Sequence, residues 1–137
     1  MSGGRLDVTP GQELPGFDQV VSRMVVRSRH WHGINTIHSD PAEAAKHGYK
    51  RPPATGQISA SYIQRLCASF FGEALFKRAV LEVRFRAPVY EEDRLSVGGR
   101  VTQVSARAEG RNVTVECWCR NAEGVEVTRA HVEVLVP

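Results

Sequence analysis

The sequence predicts an α+β domain: an antiparallel β-sheet wrapped around one long central helix. Three observations carry this. Residues 57–76 hold Ile58, Tyr62, Ile63, Leu66, Cys67, Phe70, Phe71, Ala74 and Leu75, an apolar arc too wide for a surface helix. The later half of the chain alternates apolar and polar residues with a period of two. Short Gly-containing turns separate those runs. One strand, one helix and then four strands in a meander give an antiparallel sheet around one helix.

The elements follow in order. Residues 1–16 carry Gly and Pro with little periodicity and read as a loose arm. Phe17 to Val26, rich in β-branched residues, predicts a strand. Residues 28–35 are irregular. Ser39-Asp40-Pro41 is a helix start, with Ser39 or Asp40 as cap and Pro41 in the first helical position. That helix is short and stops at Gly48. Tyr49-Lys50-Arg51-Pro52-Pro53 must be extended, because proline neither donates a backbone hydrogen bond nor tolerates a helical predecessor. The central helix follows from Gln57.

The sheet comes next. Leu81, Val83 and Phe85 alternate with Glu82, Arg84 and Arg86. Leu95, Val97 and Val101 form the next run, in which Gly98-Gly99 predicts a bulge or a close approach. Val113, Val115, Cys117 and Cys119 form the third, and residues 125–136 the last. Glu109-Gly110 and Ala122-Glu123-Gly124 supply the turns.

At 137 residues the chain is expected to be one domain, 1–137, with a real core. The formal net charge of +3 is mild, and the basic residues are interspersed with acidic ones, which argues against nucleic acid. No stretch approaches the roughly 20 apolar residues of a membrane span. The N-terminus has no apolar signal core, so a cytoplasmic location is expected. Cys67, Cys117 and Cys119 are odd in number, and the last two share a strand face; they fit reduced, packed thiols.

The chemistry concentrates between Trp31 and Ser61. Asn35 and His38 lie three apart, and Gly56 opens the apolar helix after a basic Pro-Pro loop. A polar pair followed by a glycine at a helix N-terminus suggests a site for a carbonyl or anionic group. A metal pair at His30 and His32 lacks a third ligand with convincing spacing, so no metal is expected. No dinucleotide fingerprint or phosphate loop is present, and no Ser or Cys nucleophile has a visible base partner.

These residues resemble the MaoC-like hot-dog-fold hydratases and dehydratases, which include the R-specific enoyl-CoA hydratases. The similarity runs through Gly33 to Pro41, then Gly48-Tyr49, then Ala54 to Ser61. It continues through Phe85-Arg86-Ala87-Pro88-Val89-Tyr90 with Asp93 and Leu95, and through Asn121 to Gly124. Five pieces in order over about a hundred residues carry it, each of them weak alone. The resemblance implies a single hot-dog domain that pairs with a homologous hot-dog chain, as a homodimer or heteromer. It also implies an acyl-thioester substrate carried on coenzyme A or phosphopantetheine, with no other cofactor.

The same resemblance implies roles. His38 falls on the family's catalytic histidine and Asn35 on an asparagine that orders the site. Gly56 falls on the helix-start glycine whose backbone N–H, or a neighbour's, holds the thioester carbonyl. Ser61 falls on a site serine of some members. Thr55, Gln57, Ser61, Arg51 and His32 are the expected substrate contacts, with Lys50-Arg51 placed to meet carrier phosphates. Two positions depart from the pattern. Gly33 stands where the family has its catalytic Asp, and Thr55 where it has a histidine before the glycine.

Losing one member of an acid/base pair costs orders of magnitude in rate, each tenfold being about 1.4 kcal/mol of barrier. Three readings therefore stand. The first is a hydratase or dehydratase using His38 alone or a group lent by His32, Asp40 or a partner chain. The second is a non-catalytic or half-site subunit of a heteromeric hydratase. The third is a cyclase, isomerase or thioesterase of secondary metabolism on the same scaffold. For Asp40 itself, helix capping is the expected role.

Overall fold

The computed structural model describes residues 7–23 and 37–137. Strand β1 (Phe17–Val20) precedes helix α1 (Pro41–Lys46) and the long helix α2 (Gly56–Phe71). A 3₁₀ segment (Gly72–Phe76) leads into β2 (Ala79–Phe85), β3 (Arg94–Arg107), β4 (Gly110–Arg120) and β5 (Glu126–Val136). The five strands form one antiparallel sheet in the order β1-β3-β4-β5-β2. Of the strand expected over residues 17–26, only 17–20 pair in the sheet; residues 24–26 lie outside the described part. The irregular stretch over residues 28–35 lies there too.

The central helix is shorter than its apolar pattern. It ends at Phe71 because Gly72 takes a left-handed φ of 61°, and a tighter 3₁₀ turn carries Leu75 into the core. Its buried residues, Ile58, Ile63, Leu66, Cys67 and Phe71, lie on the sheet face made by Val97, Val101, Val113, Val115, Cys117 and Val132. Fully burying each such aliphatic side chain is worth about 1.5–3 kcal/mol. Gly99 marks the close approach expected there. A Cβ on it would come 3.0 Å from Cys117 Sγ and 3.3 Å from Leu66 Cδ2, so the glycine lets helix and sheet meet. The register of β3 against β4 slips shortly afterwards, between Val101 and Gln103.

The expected four-strand meander is corrected. Only β3, β4 and β5 follow one another; β2 pairs with β5 at the far edge, in the register Leu81↔Val132 and Phe85↔Thr128. The reason lies in residues 86–93, a connection too long for a tight hairpin. Val89 and Tyr90 are buried, and Val89 O accepts from Ala54 N at 2.6 Å. This segment crosses the end of the sheet beside the start of α2 and leaves one edge of β3 to β1. The two expected turns hold: Gly124 adopts φ 80°, and Asn121 Oδ1 accepts from the N–H groups of Glu123 and Val125.

Candidate functional site

The site forms where three segments meet: the turn before α1, the extended run into α2, and the crossing segment after β2. Asp40 caps α1, its carboxylate accepting from Ala42 N at 2.9 Å, with Pro41 as the first helical residue. That cap fixes the turn carrying His38. The prolines hold residues 52–53 extended, and the Ala54–Val89 bond fixes the last step before the helix.

His38 Nδ1 lies 2.9 Å from the carbonyl oxygen of Pro53. A carbonyl only accepts, so Nδ1–H donates. The neutral ring then carries its lone pair on Nε2, the tautomer a proton-abstracting imidazole needs. Thr55 takes the N-cap position but its side chain makes no capping bond. Its hydroxyl oxygen is buried and has no hydrogen-bond partner among the described residues. In the first turn of α2 the N–H of Ile58 donates back to Thr55 O at 3.1 Å, and the dipole of this 16-residue helix favours negative charge at its start.

A cavity of about 320 Å³ opens on this junction. His38, Thr55 and Gly56 share its wall with Tyr49, Phe85 and Pro88. The volume lies at the small end for ligand pockets, which run from about 300 to 1,000 Å³. In the same wall Thr128 Oγ1 donates to Ser59 Oγ at 2.9 Å, and Ser59 Oγ donates to Gly56 O at 3.4 Å. This polar pair is almost wholly buried. Ser59 and Thr128 were not expected at the site. No motif marks them, and only the packing of α2 against β5 brings them together.

The other expected residues fall as follows. Asn35, His32 and Gly33 lie outside the described residues, as do His30 and Trp31. Gln57 is exposed, and Ser61 donates to the carbonyl of Ile58 on its own helix at 2.6 Å; neither lines the cavity. Arg51 and Lys50 both stack on the Tyr90 ring, at 4.5 and 4.8 Å from its centre. Arg51 also faces Asp93 at 3.8 Å. Among the described residues no three His, Cys, Asp or Glu side chains gather as metal ligands, and no helix is long and apolar enough to cross a membrane.

A second polar cluster lies on the opposite, outer face of the sheet. His131 Nδ1 makes a very short hydrogen bond with Glu116, and Nε2 lies 3.4 Å from Glu133. The bond to Glu116 holds the imidazole above its usual pKa. Arg129 bridges Glu116 and Glu126 beside it.

No family model matches the sequence, and no curated protein matches it. Solved structures do. The ChsH1–ChsH2 complex from Mycobacterium tuberculosis superposes with a TM-score of 0.75 at 20% identity, over 96% of this chain and 100% of the other. A MaoC-like dehydratase from Rhodospirillum rubrum gives 0.76 at 20% identity, over 94% and 92%. The R-hydratase PhaJ1 from Pseudomonas aeruginosa gives 0.73 at 21% identity, over 95% and 83%. The chain therefore has the hot-dog fold, in the form found in MaoC-like dehydratases and R-hydratases.

Proposed function

We propose that this protein is a hydratase or dehydratase of enoyl or 3-hydroxyacyl thioesters carried on coenzyme A or an acyl carrier. One observation carries the reading: His38, held through Nδ1 on Pro53 O, shares a cavity wall with the N-terminus of α2 at Gly56. The general class is supported by the fold neighbours, which include dehydratases and R-hydratases.

The chemistry follows from that pairing. In hydration, Nε2 of His38 removes a proton from water as the oxygen bonds to C3 of the enoyl group. The C2=C3 electron pair moves toward the thioester, and charge develops on its carbonyl oxygen. The N–H groups at the head of α2 stabilise that charge, a role a fixed dipole fills without reorganising. The imidazolium then returns its proton to C2. Dehydration is the reverse. With Gly33 in place of the family's carboxylate, His38 carries both proton transfers.

A half-site role is the second reading. It is favoured by the outer edge of β2, which pairs with no other strand among the described residues and lies next to the exposed Phe76 and Val80. An apolar open edge is a template for another chain. The ChsH1–ChsH2 neighbour is itself a two-component complex. In that reading a homologous hot-dog partner supplies the missing carboxylate.

The test is a panel of 2-enoyl and 3-hydroxyacyl thioesters followed by mass spectrometry, with His38→Ala and Gly33→Asp alongside. The proposal expects a mass change of one water in the wild type and a loss of at least about 100-fold in His38→Ala. An inert wild type with an active Gly33→Asp variant would favour the half-site reading. A product of unchanged mass would point instead to cyclisation or isomerisation.

A further inference from the structure

We infer that Phe85 is the specificity-determining residue of this cavity and restricts it to short acyl chains. The inference rests on the thioester reading above. Phe85 is the last residue of β2, where the sheet ends: the N–H groups of Arg86 and Ala87 both donate to Val127 O, at 2.8 and 3.2 Å, and Pro88 follows. Its backbone is thus pinned, and only its side-chain torsions can move the ring.

The ring does not fold into the core. Phe85 is 57% exposed, yet the far end of its ring lies on the backbone of Gly56. A Cβ built on Gly56 would come within 2.7–2.9 Å of Cζ, Cε1 and Cε2. The ring therefore stands beside the first N–H groups of α2. A thioester whose carbonyl is held there must pass its acyl chain along the open face of the ring. Beyond the ring the wall continues in Ser59 and Thr128, which are 2% and 0% exposed. A planar group this close to the head of α2 limits how far a chain held there can run.

The test uses phosphopantetheine 2-oxoalkyl thioethers, which carry the carrier arm common to both substrate forms, keep a carbonyl for the head of α2 and cannot be hydrated. Binding of the S-(2-oxobutyl) and S-(2-oxooctyl) thioethers, the butyl and octyl ligands, is measured by calorimetry on wild type, Phe85→Ala and Phe85→Leu, with circular dichroism to confirm folding. In the wild type the butyl ligand is expected to bind at least about tenfold tighter than the octyl. Phe85→Ala should shift the octyl-to-butyl affinity ratio by about tenfold or more toward octyl, and Phe85→Leu should fall between. A ratio unchanged within twofold in both variants overturns the inference, whatever the thioester panel shows. If the ratio shifts while the panel is inert, Phe85 keeps its role and the reaction reading fails. If neither thioether binds the wild type, both fail.

Discussion

The ring of Phe85 rests on Gly56, so that a single added Cβ would meet Cζ at 2.7 Å. The glycine that opens the central helix is therefore demanded by a neighbour from the sheet and not by its own backbone, which is ordinary helix.

That dependence predicts a reversal of sign. Gly56→Ala should destabilise the wild type by about 1–3 kcal/mol, because the ring must move. In a Phe85→Ala background the same change should be neutral or stabilising by up to about 1 kcal/mol, since alanine suits a helix better than glycine. Urea denaturation of the four members of the cycle measures it. Equal costs in both backgrounds would show that the ring is not the obstacle.

The Ser59–Thr128 pair predicts coupling. Thr128→Val removes the donor to Ser59 Oγ in a buried place and should cost about 1 kcal/mol. Ser59→Ala should cost a similar amount. The double variant should cost less than the sum, since Ser59→Ala alone leaves the Thr128 hydroxyl buried without its acceptor and the double variant removes that hydroxyl. Strict additivity in denaturation midpoints would contradict this.

His131 predicts a pH dependence. Its folded pKa is raised above 6.5, chiefly by the bond to Glu116. Its contribution to stability is therefore fully present below about 6.5 and is lost as pH rises through the higher folded value. The side chain is 40% exposed, so solvent screening keeps the effect below about 1 kcal/mol. Glu116→Gln should flatten the decline between neutral and mildly alkaline pH. A wild-type stability that rises over that range would reverse the assignment.

The three cysteines predict silence toward thiol reagents. Cys67, Cys117 and Cys119 are free and buried, and Cys67 Sγ lies 3.8 Å from Cys117 Sγ. Burial pushes the Cys119 thiol up to about 12; the Cys67–Cys117 bond together with burial raises the Cys117 thiol and the same bond lowers that of Cys67, which burial still keeps from the reagent. A disulfide-exchange dye at pH 8 should label none of them in the native protein and all three in denaturant. Rapid labelling of the native protein would show that the helix leaves the sheet readily.

How the sequence divides from the structure is clearest at particular residues. The period-two runs in β2 to β5 and the apolar arc of α2 were legible because each records which side chains a single element buries. The cap at Asp40 was legible because Asp-Pro before an Ala-rich run satisfies local backbone groups. His38 and Gly56 stood out through local motifs, and the structure puts both on one cavity wall. The stop at Gly72 was not legible, since apolar residues continue past it into a 3₁₀ turn.

By itself, then, the sequence determined the elements, the face each would bury and the stretch where polar chemistry gathers, because these depend on neighbours within a few residues. Only the tertiary structure decided the partner of β2, the meeting of Phe85 with Gly56, and the hidden pair Ser59–Thr128. Those contacts join residues 29 and 69 positions apart. They arise from how the segment after β2 crosses the sheet end and how α2 packs on β5, choices made by packing and not written in any local pattern.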